Sequence, residues 1–287
     1  MATLREIRRR ISSIKSTQQI TRAMKMVAAA KLRKAQENIL AARPYAYKID
    51  EMIRRLISKT DEQLDPLLQT RTPQRVTVVS VTSDRGLCGS FNSNIIKRTI
   101  AQIESHRDKE VNVVCVGRKA YDFFRKRNYQ VTNHYINFFN ELTYEHAQGI
   151  TQYLVESFRN ESTDLIEVVY NEFKNAAQQN IIVEKYLPLT SEKFAGEVKN
   201  VNYIYEPDEV TLLEALLPKH LNIQTWRFLL ESNAAEQGAR MTAMESATEN
   251  AGDIINDLTL HYNKARQAAI TKEISEIVGG AEALKSA

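Results

Sequence analysis

Apolar side chains recur through the first sixty residues at alternating steps of three and four. At positions 4, 7, 11, 14, 18, 21, 25, 28, 32, 35, 39, 42, 46, 49, 53 and 56, thirteen of the sixteen residues are apolar. That spacing lines one face of an α-helix and fits neither a strand nor a loop. The three exceptions, Gln18, Thr21 and Lys25, are consecutive in the series, and there the stripe is expected to pass to Ile20, Ala23, Met24 and Val27. Pro44 is expected to bend the helix, because it lacks a backbone donor and crowds the preceding turn. The C-terminal segment repeats the pattern. At positions 230, 234, 237, 241, 244, 248, 251, 255, 258, 262, 265 and 269, ten of twelve residues are apolar, with Gln237 and Thr248 the exceptions. No proline follows Pro218, so this helix can run for about 60 residues, roughly 90 Å.

Neither stripe is stable alone in water, so each needs a partner. The economical arrangement packs the two terminal helices antiparallel, with Ala28, Ala234, Ala251 and Ala265 allowing close approach. Measured from a common base near residues 57 and 208, the second helix should overshoot the first by about 25 residues, or roughly 37 Å. Its tip, TKEISEIVGGAEALKSA, leaves Ile274, Ile277 and Val278 exposed unless a partner surrounds them.

Between the helices the pattern changes. VTVVSV (76–81), VNVVCV (111–116), LIEVVYNEF (165–173) and IIVEKYLPL (181–189) are rich in β-branched residues and are expected to be strands. SNIIKRTIAQIESH, GRKAYDFFRKRN and NELTYEHAQGITQYLVESFRN lie between them as helices. Such alternation implies a sheet of parallel strands flanked by helices. VNYIYEP (201–207) is expected to add an antiparallel edge strand, and DEQLDPLLQTRTPQ (61–74) to act as a linker. The fold class is therefore α/β: a long antiparallel coiled coil of an N-terminal helix (1–60) and a C-terminal helix (208–287), plus a central Rossmann-like α/β domain (73–207).

Composition agrees with few interruptions, since only 9 Gly and 6 Pro occur in 287 residues. No apolar run reaches the length of about 18 residues that a membrane span needs, and the N-terminus lacks the apolar core and cleavage site of a secretory signal. Exposure to the cytosol is expected. Cys88 and Cys115 are then reduced core thiols, and no pair of the five histidines has the spacing of a helical metal site. The net charge of +4 hides an asymmetry. Residues 1–60 hold 15 Lys or Arg against 4 Asp or Glu, whereas residues 208–287 hold 7 against 12. The basic segment suits an acidic partner.

One stretch invites a chemical reading. SDRGLCGSFN (83–92) joins a strand to a helix with small residues, which is the layout of a phosphate cradle. A P-loop needs GxxxxGK followed by Ser or Thr, and a dinucleotide site needs GxGxxG with an acid about 20 residues on. GLCGSFN supplies no Lys and no third glycine, so a structural strand-to-helix turn is the better reading and a nucleotide-binding enzyme the alternative. Ser83, Asp84, Cys88 and His106 lack the spacing of a nucleophile elbow. Glu245 with Glu249, and Asp253 with Asp257, read as solvated helix charges. The basic residues Arg22, Lys25, Lys31, Arg33 and Lys34 leave three readings open: a solvated face, an acidic protein surface, or nucleic acid. The last is weakened by the absence of interleaved aromatics.

Five stretches in order, IRRRISSIKSTQQITRAMKMVAAAKLRKAQ, SDRGLCGSFN, YIYEPD, ARMTAMESATENA and LTLHYNKARQAAITKEISEIVGGAEAL, resemble the γ subunits of F-type ATP synthases over nearly the whole chain. The resemblance implies a non-catalytic rotor shaft without cofactor, metal or nucleotide. It implies three α and three β subunits around the shaft, and an ε subunit and a c-ring at the α/β domain. It implies that the shaft couples proton- or sodium-driven rotation to ATP synthesis or hydrolysis. Rotor–stator contacts carry over to Arg8, Arg9, Arg10, Arg22, Met24, Lys25, Arg240, Arg266, Gln267, Thr271 and Glu273, with Arg240 expected near Met24 on the partner helix. Contacts to the c-ring carry over to Tyr205 and Glu206. The chain has no cysteine-bearing regulatory insertion of the chloroplast type and no organellar presequence, so a bacterial protein is expected, peripheral on the cytoplasmic side of the plasma membrane.

Overall fold

The computed structural model describes residues 3–57, 65–176, 178–189 and 208–285. In chain order the elements are α1 (Leu4–Ile57), β1 (Arg75–Val81), α2 (Phe91–Ser105), β2 (Glu110–Val116), α3 (Arg118–Arg125) and β3 (Val131–Tyr135). A 3-10 turn (Phe139–Glu141), α4 (Tyr144–Arg159), β4 (Leu165–Phe173), β5 (Gln179–Leu187) and α5 (Glu209–Lys285) follow. They divide into two compact units, Met1–Val27 with Met241–Ala287, and Ala28–Arg240. Both terminal helices contribute to both units.

In the larger unit the strands run in the order β3-β2-β1-β4-β5. The first four are parallel and β5 returns antiparallel to β4. A parallel sheet must be covered on both faces, and alternate side chains of β1 point to the two covers. Val79 and Val81 join a cluster with Ile150 and Leu154 of α4, Ile53 and Leu56 of α1, and Leu217 and Leu221 of α5. Val76 and Val78 pack on Ile95 of α2, while Val113 and Cys115 of β2 meet Ala120 and Phe124 of α3. Buried hydroxyls pair across these layers, as in Tyr186 with Thr225 at 2.8 Å and Ser80 with Thr99 at 2.9 Å. The base segments of the terminal helices are therefore part of the sheet unit's core.

Three features go beyond the expectations. The first is Pro218, which lies inside α5: the helix begins at Glu209, at the expected start near 208, and passes through the proline. Asp208 sets that start by accepting from Thr211 N at 2.9 Å and Thr211 Oγ1 at 2.8 Å. A proline inside a helix costs about 3 kcal/mol. Burial of an aliphatic side chain returns about 1.5–3 kcal/mol each, and Leu213, Leu217 and Leu221 are all buried. α1 likewise continues through Pro44. Second, β3 was not expected. Its sequence, VTNHY, offers one aliphatic residue, and its burial alternates as an edge strand's does. Third, the described part of the linker is anchored in the core, although Pro66, Thr70, Thr72 and Gln74 stay exposed. Leu67 and Leu68 enter the core, held by Leu67 N on Asp65 Oδ1 at 2.8 Å and by Leu189 N on Leu67 O at 2.9 Å. The expected strand VNYIYEP lies outside the described residues.

Candidate functional site

The smaller unit pairs residues of α1 with residues of α5. Arg8 donates to Tyr262 Oη at 2.6 Å, Thr21 meets Thr248 through their hydroxyls at 2.8 Å, and Lys25 is salt-bridged to Glu245. As the α1 number rises the α5 number falls, so the pairing is antiparallel.

The seam at Gln18, Thr21 and Lys25 corrects the expected shift of the stripe. Ile20 is 60% and Val27 57% exposed, whereas Thr21 is only 8% exposed and Gln18 and Lys25 are half-buried. The helical register is kept and polar side chains fill it. α5 explains why, because its own break in the stripe, Thr248, stands opposite. Gln18 Nε2 donates to Thr248 O at 3.2 Å, and Thr21 Oγ1 also bonds Gln18 O at 3.0 Å. A Cβ on Gly252 would stand 3.1 Å from Gln18 Nε2, so the missing side chain gives that amide its room. Two polar gaps, each puzzling alone, form one hydrogen-bonded layer. Buried polar groups of this kind stay favourable only when each has a partner.

Displaced from the seam, aliphatic residues face outward. Ile20, Met26 and Val27 on α1 and Ile254, Leu260, Ile270, Ile274, Ile277 and Val278 on α5 are exposed, Ile277 by 71%. Basic residues share this surface. Arg8, Arg9, Arg10, Arg22 and Arg266 are exposed, as are Gln267, Thr271 and Glu273, while Met24 is half-buried. Lys25 is committed to Glu245. Arg240, in the larger unit, has a side chain only 12% exposed. Its guanidinium donates to Glu236 at 2.5 Å and to Gly86 O at 3.1 Å. Tyr205 and Glu206 lie outside the described residues.

The turn SDRGLCGSFN is occupied by the chain's own groups. At the carboxyl ends of parallel strands, where an α/β sheet commonly places a ligand, the Asp84 carboxylate takes three backbone N–H groups. These come from Arg118 at 3.0 Å, Asn137 at 2.8 Å and Phe139 at 3.2 Å. Arg118 opens α3, so Asp84 stands where a helix N-terminus would hold an anion. Asn92 Oδ1 accepts from Ser83 N at 2.9 Å and Ser83 Oγ at 3.0 Å. Cys88 and Phe91 pack against Ala235 and Ala239 of α5. Gly117 completes the joint. With φ at 95°, it lies so close to Thr82 that a Cβ would come within 2.2 Å of Thr82 O. Burial pushes both thiols up, Cys115 to about 12, so both are protonated core groups at neutral pH.

A two-helix unit seamed by small and polar residues, with aliphatic and basic side chains left uncovered on its outside, is the build of a subunit that works within a larger assembly. The comparisons agree. The family described as ATP synthase matches residues 3–284. The ATP synthase gamma chain of Chloroherpeton thalassium is 52% identical, covering 99% of each chain, and that of Prosthecochloris aestuarii is 51% identical with the same coverage. The chain is also similar to a solved chain of the Tetrahymena thermophila mitochondrial ATP synthase central stalk and c-ring, with a TM-score of 0.63 and 25% identity. That likeness covers 79% of this chain and 99% of the other. A chain of the Euglena gracilis mitochondrial enzyme shares the fold, with a TM-score of 0.70 at 22% identity over 98% of this chain and 94% of the other. The chain belongs to the ATP synthase gamma chain family. It is thus a non-catalytic central-stalk subunit, and no described helix is long and apolar enough to cross a membrane.

Proposed function

We propose that this chain is the rotating shaft that couples proton- or sodium-driven turning of a c-ring to ATP synthesis or hydrolysis in a head of three α and three β subunits. The observation that carries the reading is the outward face of the smaller unit, where Ile20, Met26, Val27, Ile270, Ile274 and Ile277 are uncovered. Uncovered aliphatic surface of this extent, rimmed by charge, suits a surrounding protein sleeve. Arg22 and Met24 are offered to the stator's acidic loops, and Arg266, Gln267, Thr271 and Glu273, with Arg8, Arg9 and Arg10, to an upper set of β-subunit loops. Lys25 acts beside Arg22 and Met24 as far as its bond to Glu245 releases it. Arg240, held by Glu236 and Gly86, is a contact only through local rearrangement. Tyr205 and Glu206 are assigned to the c-ring, the α/β unit to the ε subunit, and the assembly to the cytoplasmic side of a bacterial plasma membrane. Exposed ion pairs contribute only about 0–1 kcal/mol, so shape carries most of the torque and charge sets preferred angles.

Reconstitution tests the proposal. The isolated chain is expected to show no ATPase activity and to restore activity when added to α and β subunits from the same source. Deleting the residues after 270 should weaken that activity while the Trp226 fluorescence of the α/β unit stays native. No effect of the chain on assembly or turnover would refute the shaft reading.

A further inference from the structure

Within the larger unit, a cavity of about 600 Å³ lies where residues 39–47 of α1 face residues 223–231 of α5. That size is in the range of small-molecule sites, which typically span about 300–1,000 Å³. Its walls are aromatic and aliphatic. Trp226 meets Tyr144 edge-on at 6.0 Å, Tyr45 and Tyr47 stand at the rim 58% and 69% exposed, and Ile223 and Leu230 line the same space.

The polar groups of the lining are unevenly satisfied. Arg227 donates to Glu184 at 2.6 Å and to Gln224 at 3.0 Å, so its charge is already answered, while Arg43 lines the cavity as a second cation, exposed and hydrogen-bonded to neither carboxylate. Glu172 accepts one long bond from Asn180, at 3.4 Å. Glu231 accepts none from any described residue, and its Oε2 is sealed from solvent without a donor. Burial pushes the Glu231 carboxyl up and Glu172 adds to the push, outweighing Arg227 and Arg43. A carboxylate in that position lacks a cationic hydrogen-bond donor. Aromatic faces beside it favour a cation further.

We propose that this cavity binds a small amphipathic cation, a flat apolar body bearing an ammonium or amidinium group. The head sits on Glu231 and Glu172, and the body lies against Trp226 and the tyrosines. A ligand held there braces α1 against α5 within the sheet unit, which no part of the stalk's coupling role requires.

Trp226 is the single tryptophan of the chain, so its fluorescence reports occupancy directly. Three isosteric probes separate the chemistries: 4-phenylbenzylamine, 4-phenylbenzyl alcohol and 4-phenylbenzoate. In the full chain the amine is expected to change Trp226 emission saturably, and to bind at least tenfold more tightly than the alcohol or the benzoate. Glu231→Gln should weaken the amine about tenfold, and Glu172→Gln by a few-fold. Ala42→Phe, which fills the space, should abolish binding while leaving the circular dichroism melting curve in place. Equal binding of the three probes, tightest binding of the benzoate, or an amine affinity unchanged in Glu231→Gln would overturn the proposal. So would amine binding, by equilibrium dialysis, that is lost when the chain is assembled with α and β subunits, since the cavity would then belong to a partner's cationic side chain.

Discussion

α5 reads differently in its two halves. Up to Arg240 it is a core helix, with Leu213, Leu217, Leu221, Phe228, Leu229 and Leu230 all buried in the sheet unit. From Met241 onward only Met244 and Ala251 among the described apolar residues are buried, while Leu260, Ile270, Ile274 and Ile277 are exposed. α1 shows the same contrast. Ala28, Leu32, Ala35, Ile49, Ile53 and Leu56 are buried, whereas in residues 3–27 the single buried position is a threonine. One unit spends its apolar surface on its own stability, and the other keeps much of it facing outward. The lesson is that helical periodicity and self-burial are separate properties. A helix can hold its stripe in register for its whole length and still reserve part of its apolar surface for other chains.

The largest effects should therefore fall in the sheet unit. Phe228→Ala removes a side chain 2% exposed that packs on Tyr170 and Tyr186, and should cost about 3–5 kcal/mol. Urea unfolding followed by Trp226 fluorescence measures it. A loss below about 1 kcal/mol would contradict the contrast.

Arg240→Ala should come close behind. Glu236 has a side chain only 7% exposed and Arg240 is its cation, so removing the arginine strands a buried charge at a cost of about 3–5 kcal/mol. The pH dependence gives a specific signature. Burial holds the Glu236 carboxyl above its ordinary value, with Arg240 pulling it down; without Arg240 it rises further. The folded variant then binds a proton that the unfolded chain releases, so its stability falls as pH rises between the unfolded and folded values. The deficit against the parent should shrink toward acid. Denaturation midpoints at a series of pH values check it, and a deficit independent of pH would count against a stranded charge.

Much of this was legible in the sequence. Both terminal helices, the strands β1, β2, β4 and β5 and the helices between them follow from period and β-branching. β3 was not legible, because VTNHY, although Val131, Thr132 and Tyr135 favour strands, is short, carries one aliphatic residue and has Asn133 at its centre; pairing with β2 makes it a strand. The polar seam was visible as three consecutive misses in α1 and one at Thr248 in α5. Reading each helix alone turned the first into a detour of the stripe. What was missing was the register between the two helices, which a single helix cannot encode. In the turn before α2, the sequence showed that no phosphate motif was complete. It did not show that Asp84 fills the position itself, since the three N–H groups come from residues more than thirty positions away.

The seam offers a finer test. Thr21→Val and Thr248→Val each remove the cross-helix contact, while the remaining hydroxyl keeps its own helix carbonyl, Gln18 O or Met244 O, at about 1 kcal/mol. The double variant replaces both by similar shapes and should cost less than the sum, with a coupling of at least about 0.5 kcal/mol. Hydrogen exchange of amides in 15–27 and 241–255 is the suitable readout, because global unfolding reports mainly the sheet unit. Additive losses would mean that the layer is incidental.

The smallest effect belongs to Lys25 and Glu245. Their side chains are 38% and 44% exposed, so water and salt screen the pair and it should contribute only about 0–1 kcal/mol. Lys25→Ala, Glu245→Ala and the double variant should differ little by hydrogen exchange at physiological salt and converge as salt is raised. On the proposed shaft reading Lys25 faces the stator, so replacing Glu245 would also free a cation there. Glu245→Ala should then alter the ATPase rate of the reconstituted head more than it alters the helix pair's protection. Lys25→Ala, which removes that cation, should shift the rate in the opposite direction. Equal and parallel changes in rate and protection for the two variants would make the bridge a structural pair and nothing more.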